Sequence, residues 1–537
     1  MFASTHTVAL NGAVGHLVDV QADVSPGMPG LTLVGRADLA LTEGRDRVRM
    51  AVVNSGLEWP STRRTTVLLS PADLPKSGTH YDLAMAVAIL AAAGTLDTAA
   101  LDACALIGEV SLDGGLRPVT GVLPMVLAAR QRDLRRVIVP EPQAREAAMV
   151  PGMEVLGLRS LAQVVAELRG EEVPPAPPVP AGASGQILGW RGEDRLEEVD
   201  LADLVGMREV RFAIEVAAAG GHHILLRGPK GCGKTSIAER VATILPDLEP
   251  DVAVELMAVQ SLAGVLDPVR GLLRRPPFTA PHHDASKASL VGGGHPRVRP
   301  GQISLAHGGV LFLDEFPMFR ADVIEALREP LESGDITIAR AEEMVTMPAH
   351  SLVVLAANPC PCGNHSADVN GEPCTCREVE RREYGKKITG PIADRIDITR
   401  HVRPLQPHEY DPGEVPESSA AVRERVVAAR ERQAERYADC GWRLNGQATS
   451  TALRERWPLV AAGQAELDQL VFAGKLSRRG AVRVHRLAWT VADLAGVAVP
   501  GVREVHTALR LRSGDPLLAD DYHRRRRPVP SRHGEPS

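Results

Sequence analysis

Between Leu225 and Val241 the chain reads LLRGPKGCGKTSIAERV. An apolar, strand-like run enters a loop with Gly228, Gly231 and Gly233, then leaves it through Lys234 and Thr235 as a helical pattern. Glycines in that strand–loop–helix context let successive backbone N–H groups turn inward around phosphate oxygens. The loop Gly228, Pro229, Lys230, Gly231, Cys232, Gly233, Lys234, Thr235, Ser236 is therefore the candidate nucleotide cradle. Lys234 would reach the β- and γ-phosphates, and the Thr235 hydroxyl would ligate Mg²⁺.

Two later strands support the reading. GGVLFLDEF (308–316) is a buried-strand pattern ending in Asp314 and Glu315, with Asp314 placed to hold the Mg²⁺ shell and Glu315 to orient an attacking water. HSLVVLAANP (350–359) ends in Asn358, whose amide could hold the lytic water or sense the γ-phosphate. By itself an Asn at a strand end is more often a turn former. Its order after the other two motifs favours the catalytic reading.

Outward from this core the 537 residues divide by composition. Residues 1–170 mix β-type runs such as TTVLLSP with helical patterns such as YDLAMAVAILAAAG, as expected of one α/β domain. A Pro-rich linker follows at 171–199, where EEVPPAPPVPAGASG cannot build a core. The P-loop unit occupies 200–414 and an all-helical lid 415–512, and a charged, Pro-rich tail at 513–537 is expected to be disordered. The fold class is thus α/β multidomain with a C-terminal all-α lid.

A formal net charge of -6 excludes a uniformly basic nucleic-acid coat, so any such contact must come from local patches. The opening residues carry no basic stretch followed by an unbroken apolar run, and LAMAVAILAAAG is too short to span a bilayer. The expectation is a cytoplasmic, soluble protein that does not engage a membrane. Four of the seven cysteines form two C-x-C pairs in NPCPCGNHSADVNGEPCTCRE, and Cys360, Cys362, Cys374 and Cys376 could close a tetrahedral thiolate site around structural Zn²⁺.

The segments PHHDASKASLVGGGHPRVRPGQISLAHGGVLFLDEFPMF, LAANPCPCG and GPIADRIDI, with SPADLPKSGTHYDLAMAVAIL near the N-terminus, resemble the Mg-chelatase-like group of AAA+ ATPases that includes YifB and the competence protein ComM. Lys230, Cys232 and Gln302 depart from the usual pattern but leave the phosphate-binding Gly, Lys and Thr intact. The resemblance implies ATP and Mg²⁺ as cofactors, a homo-oligomer expected to be a hexameric ring, and Arg395 as an arginine finger reaching the neighbouring subunit's γ-phosphate. A surface salt-bridge arginine beside Asp394 and Asp397 is the alternative for Arg395. Arg479 resembles the lid's sensor arginine, with Arg478 and Arg483 as rivals.

The N-terminal segments PADLPKSGTHYDLAMAVAIL and GEVSLDGGLRPVTGVLPMVLAA resemble the Lon protease domain. Alignment puts His80 at the nucleophile's position and Leu123 near the partner lysine's, so the hydroxyl–amine pair of that chemistry is missing. Ser77 and Lys76 are close in sequence but lie on the turn before the helix. Two functions therefore compete. One is a ring translocase on single-stranded or branched DNA, as the likeness to ComM, a branch-migration helicase, implies; the other is a remodeller of a protein or metallocofactor complex. Lys287, Arg297 and Arg299 in the Gly-rich insertion are the expected phosphate contacts. DITIARAEEMVTMPAHS reads as a hairpin that would project toward a pore, with Glu342 and Glu343 near its tip opposing DNA.

Overall fold

A computed structural model describes residues 1–35, 39–72, 74, 76–179, 198–294, 298–340, 343–365, 373–390, 392–404 and 416–523. The first domain is a seven-stranded sheet. Its strands are β1 (Phe2–Asn11), β2 (Val14–Ser25), β3 (Gly30–Val34), β4 (Arg64–Ser70), β5 (Cys104–Leu106), β8 (Arg136–Pro140) and β9 (Glu154–Leu158), in the order β3-β4-β2-β1-β5-β8-β9. A short ladder, β6 (Glu109–Val110) with β7 (Leu116–Arg117), lies apart from it. The long β1–β2 ladder is antiparallel, whereas β5, β8 and β9 run parallel, as crossover helices require. Every residue of helix Asp82–Ala92 is buried, so the apolar run noted above is a core helix.

The second domain is a parallel sheet of β10 (Ile224–Arg227), β11 (Phe278–Thr279), β14 (Val310–Leu313), β17 (Leu352–Ala357) and β18 (Ile398–His401), ordered β11-β14-β17-β10-β18. Two small ladders accompany it, β12 (Gly292–Gly293) with β13 (Arg299–Pro300) and β15 (Asp335–Arg340) with β16 (Glu343–Pro348). The central strands read as unbroken apolar runs because both faces are covered. Ile224, Leu226, Val310, Phe312 and Val354 enter one core, and Leu225, Leu311, Leu313, Val353 and Leu355 the other.

Helices Ser419–Arg436, Ser450–Glu455, Ala461–Phe472, Arg478–Ala495 and Val502–Ser513 build the lid. Ser418, Thr449 and Ser477 cap three of them by accepting backbone N–H bonds from Ala421, Ala452 and Gly480. Val422, Val426, Ala429 and Gln433 form the buried stripe of the first. Gln433 and Arg430 donate to the last carbonyls of helix Arg208–Gly220, at Ala219 and Ala218, so the lid docks where that helix has unpaired acceptors.

Two boundaries differ from the sequence reading. The linker's first residues lie on the N-terminal domain, where Gln163 and Arg159 donate to the Pro174 and Ala176 carbonyls; its residues 180–197 fall outside the described set. Of the tail expected to be disordered from 513, residues up to His523 are ordered, and the rest fall outside the described set. Arg400 donates to the Asp515 carbonyl, Leu517 is buried, and Asp521 accepts from Thr507 and Arg510. Leu517, Tyr522 and Asp521 hold this segment among exposed neighbours, a pattern that composition averages away.

The N-terminal domain meets the ATPase core at helix Pro250–Ala263. The Ser261 hydroxyl and the Leu123 N–H both donate to Glu146, at 2.5 and 3.0 Å. At the Lon-like positions His80 is buried and its Nε2 donates to the Val8 carbonyl at 2.9 Å. Leu123 is 3% exposed within an apolar cluster, and the buried Lys76 ammonium bonds the Pro71 carbonyl. A neutral apolar side chain at Leu123 can neither carry charge nor pass a proton.

Candidate nucleotide site

Three strand ends converge on the sheet's C-terminal edge, where ligands bind in open α/β sheets. β10 opens into the loop 228–233, β14 into Asp314 and Glu315, and β17 into Asn358. Gly228 is demanded by close approach, because a Cβ there would lie 2.2 Å from the Val402 carbonyl oxygen. Gly231 and Gly233 adopt φ values of 79° and 86°, the left-handed region that glycine enters without steric cost.

At the start of helix Lys234–Ile244 the two key side chains diverge. Lys234, 7% exposed, turns back over the loop and donates to the Gly228 and Pro229 carbonyls at 2.9 and 2.7 Å and to Asn358 Oδ1 at 2.9 Å. Thr235 points the other way, its hydroxyl donating to Asp314 at 3.0 Å. The two oxygens thus stand close enough to serve one small hard cation, so the residues present fit Mg²⁺.

Glu315 sits at φ 48°, unusual for a non-glycine residue, and its own N–H donates to Asp314 Oδ1 at 2.8 Å. Backbone strain of this kind costs on the order of 1–3 kcal/mol and persists only where the surroundings impose it. Asn358 Nδ2 approaches Glu315 Oε1 at 3.5 Å while Asn358 Oδ1 holds Lys234, so one buried amide links the loop cation to the carboxylate. The Asn358 N–H donates to the Tyr384 hydroxyl at 3.2 Å, and burial pushes that phenol up to about 12.

Sequence reasoning missed two neighbours. His283 Nδ1 lies 3.8 Å from Glu315 Oε2, delivered there because β11 pairs with β14, as Phe278↔Val310 and Thr279↔Leu311. Glu332, on helix Arg328–Ser333, pairs with Arg395 Nη2 at 2.6 Å. Arg395 itself is 5% exposed, buried against its own subunit with Glu332 as an ion-pair partner. Among the lid arginines, Arg478 and Arg479 are exposed at the first turn of helix Arg478–Ala495. Arg483 is committed elsewhere, donating to the Asp394 carbonyl at 2.6 Å and to Asp397 at 2.5 Å.

Beyond Asn358, the sulfurs of Cys360, Cys362, Cys374 and Cys376 all lie within 4.8 Å of one another, with three pairs at 3.3, 3.6 and 3.7 Å. Backbone N–H groups of Cys362 and His365 donate to Cys376 Sγ and Cys360 Sγ. Sulfurs bound tetrahedrally at about 2.3 Å would stand roughly 3.8 Å apart, so the donor set fits one zinc-sized ion.

In the insertion, Lys287 and Arg299 are exposed, whereas Arg297 falls outside the described residues. The hairpin expected from the sequence forms, in register Asp335↔Pro348 through Arg340↔Glu343; Glu342 and the Glu343 side chain are outside the description. A Cβ at Gly292 would meet Ile338 Cδ1 at 2.7 Å, so insertion and hairpin are packed together.

A parallel β11-β14-β17-β10-β18 sheet with a phosphate loop, an Asp–Glu strand end and a helical lid is the architecture of an AAA+-type ATPase. Family models described as magnesium chelatase subunit ChlI match residues 200–410 and, for its C-terminal part, 416–512; a further ChlI model matches 20–143. An uncharacterized protein of Mycobacterium tuberculosis is 44% identical over 94% of this chain and 97% of its own length. YifB of Escherichia coli is 37% identical over 96% of this chain and 97% of its own, and the competence protein ComM of Haemophilus influenzae 37% over 92% and 94%. A Lon protease of Roseiflexus castenholzii is 27% identical over 32% of this chain and 23% of its own length. The chain belongs to the YifB/ComM family of magnesium-chelatase-like proteins. Among the described residues no helix is long and apolar enough to cross a membrane.

Proposed function

We propose that the protein is an ATP-driven ring motor that translocates DNA, promoting branch migration in recombination or DNA uptake. The observation that carries the ATPase reading is the connected set Lys234–Asn358–Glu315 beside Thr235–Asp314. On binding ATP, Lys234 exchanges loop carbonyls for β- and γ-phosphate oxygens. Thr235 and Asp314 hold Mg²⁺, which supplies charge neutralisation at the phosphates. Asn358 and Glu315 position the attacking water, and Glu315 accepts its proton. Arg395 of the neighbouring subunit brings its fixed positive fork to the developing charge, so a site is complete only within an oligomer, taken here as a hexamer. Arg479 serves as the lid's sensor, Arg483 being already engaged.

The four cysteines hold a structural Zn²⁺. A side chain at Gly363 would touch Lys230 Cβ at 3.5 Å, so the metal braces a loop against the phosphate cradle and does no chemistry. Protein purified without chelator should carry about one zinc per chain; a zinc content near zero would remove the site.

DNA is the favoured substrate because Lys287 and Arg299 project from an insertion that starts beside Glu315 and packs on the hairpin. Cations so placed bind phosphates without sequence preference. Combined Lys287→Ala, Arg297→Ala and Arg299→Ala should weaken DNA binding by about tenfold or more at low salt and flatten its salt dependence, with basal ATPase retained. Unchanged affinity in a fluorescence anisotropy titration would refute this assignment. A remodeller without protease activity is the second reading, favoured by Met344, an apolar hairpin side chain 66% exposed and suited to gripping a polypeptide. The N-terminal domain, Lon-like in type, serves as a structural or substrate-positioning module in either case.

A further inference from the structure

The turn that carries Arg395 is held by the lid of its own subunit. Arg395 closes the 3₁₀ turn Ala393–Arg395 immediately before β18. Arg483, from helix Arg478–Ala495, donates to the carbonyl of Asp394, the residue before Arg395, at 2.6 Å. Arg512, from helix Val502–Ser513, donates to the carbonyl of Ile396, the residue after it, at 2.8 Å. Two lid helices therefore bracket the turn through the backbone acceptors that flank Arg395.

A buried ionic joint fixes this bracket. Asp397, 3% exposed, accepts from Arg483 at 2.5 Å and from the His223 N–H at 3.1 Å, and His222 Nδ1 stands 3.7 Å away. Burial alone would push the Asp397 carboxyl up, but Arg483 and His222 hold it well below the usual carboxylate range. His222 is tied back to the lid through Thr490 at 2.7 Å. A charged pair this well bonded holds one geometry and resists shear. The side chain of Arg395 is steered separately by Glu332, on the helix that enters the β15–β16 hairpin through Gly334.

We propose that Arg483 and Arg512 are positioning residues for Arg395: the lid, which closes over one subunit's own nucleotide, sets where that subunit presents its arginine to the next. The proposal rests on the reading of Arg395 as a residue that acts in trans. Nucleotide-dependent lid rotation in one subunit then moves the backbone on both sides of Arg395. Successive sites become coupled through the hydrogen bonds that two lid helices make to one turn, with no separate relay.

Subunit mixing tests this. Arg483→Ala and Arg512→Ala rings should each lose about 10- to 100-fold in kcat, as expected of a catalytic group displaced by about 1 Å, with ATP KM nearly unchanged. Mixed with Lys234→Ala subunits, which cannot hydrolyse ATP but present an intact Arg395, they should regain activity above the sum of the separate proteins. The control is Arg395→Ala mixed with the same Lys234→Ala chain. Recovery in the control but not with the lid variants overturns the proposal and leaves the trans reading standing. No recovery in the control overturns the trans reading, and the proposal with it. Should thermal melting show that Arg483→Ala fails to fold, because Asp397 is left buried without its cation, Arg512→Ala and Arg483→Lys decide the matter. Arg512→Ala removes the bond to the Ile396 carbonyl while leaving the Arg483–Asp397 pair in place.

Discussion

Glu315→Gln is expected to lower ATP turnover by about 100-fold or more, the usual contribution of a positioned general base, while ATP stays bound. The glutamine keeps the shape of the side chain and can still meet Asn358, which lies 3.5 Å from the carboxylate. It loses the negative charge that accepts a proton from water. Lys234, Thr235 and Asp314 are untouched, so the contacts to the phosphates persist and the variant should accumulate as a stalled, ATP-loaded assembly. Equilibrium binding of a fluorescent ATP analogue together with steady-state phosphate release separates the two effects. Hydrolysis at the parental rate would show that another group orients the water, and His283, 3.8 Å from the same carboxylate, would become the leading candidate.

Arg395→Ala should be as damaging for a different reason. An arginine finger contributes about 10³–10⁵ in kcat where it has been removed or supplied. Here its loss should leave ATP affinity within about twofold, because every ground-state contact to the phosphates comes from the subunit that owns the P-loop. Arg395→Lys should not rescue, since an ammonium cannot reproduce the bidentate fork. A purely structural Arg395 would behave otherwise. Cutting its pair with Glu332 would depress stability and ATP affinity together, and Arg395→Lys would restore much of both. Melting temperature, KM and kcat measured on the three proteins distinguish these outcomes.

The parts of the site that were legible in the sequence are those whose chemistry is local. Gly228, Gly231 and Gly233 are dictated by one close approach and two left-handed backbone angles, and such demands write themselves into adjacent residues. The apolar runs at β14 and β17 announce strands covered on both faces. Four cysteines in a polar loop likewise point to one another. What stayed hidden is held together by topology. His283 reaches Glu315 only because β11 lies beside β14, and Glu332 meets Arg395 across 63 positions of chain. Arg483 looks from sequence like a rival for the sensor role, and its bonds to Asp394 and Asp397 appear only in the fold. The stretch Gly514–His523 reads as tail because one buried leucine does not alter a charged composition.

Whether the energy of ATP hydrolysis is spent on moving DNA is read from the steady-state ATPase rate of the purified full chain with single-stranded, duplex and branched DNA and with an unfolded protein. Stimulation of about several-fold or more by single-stranded or branched DNA is expected, falling as salt is raised because the contacts are to phosphates, and absent from Glu315→Gln. An ATPase indifferent to every DNA and accelerated by the unfolded protein would contradict it and assign the motor to polypeptides.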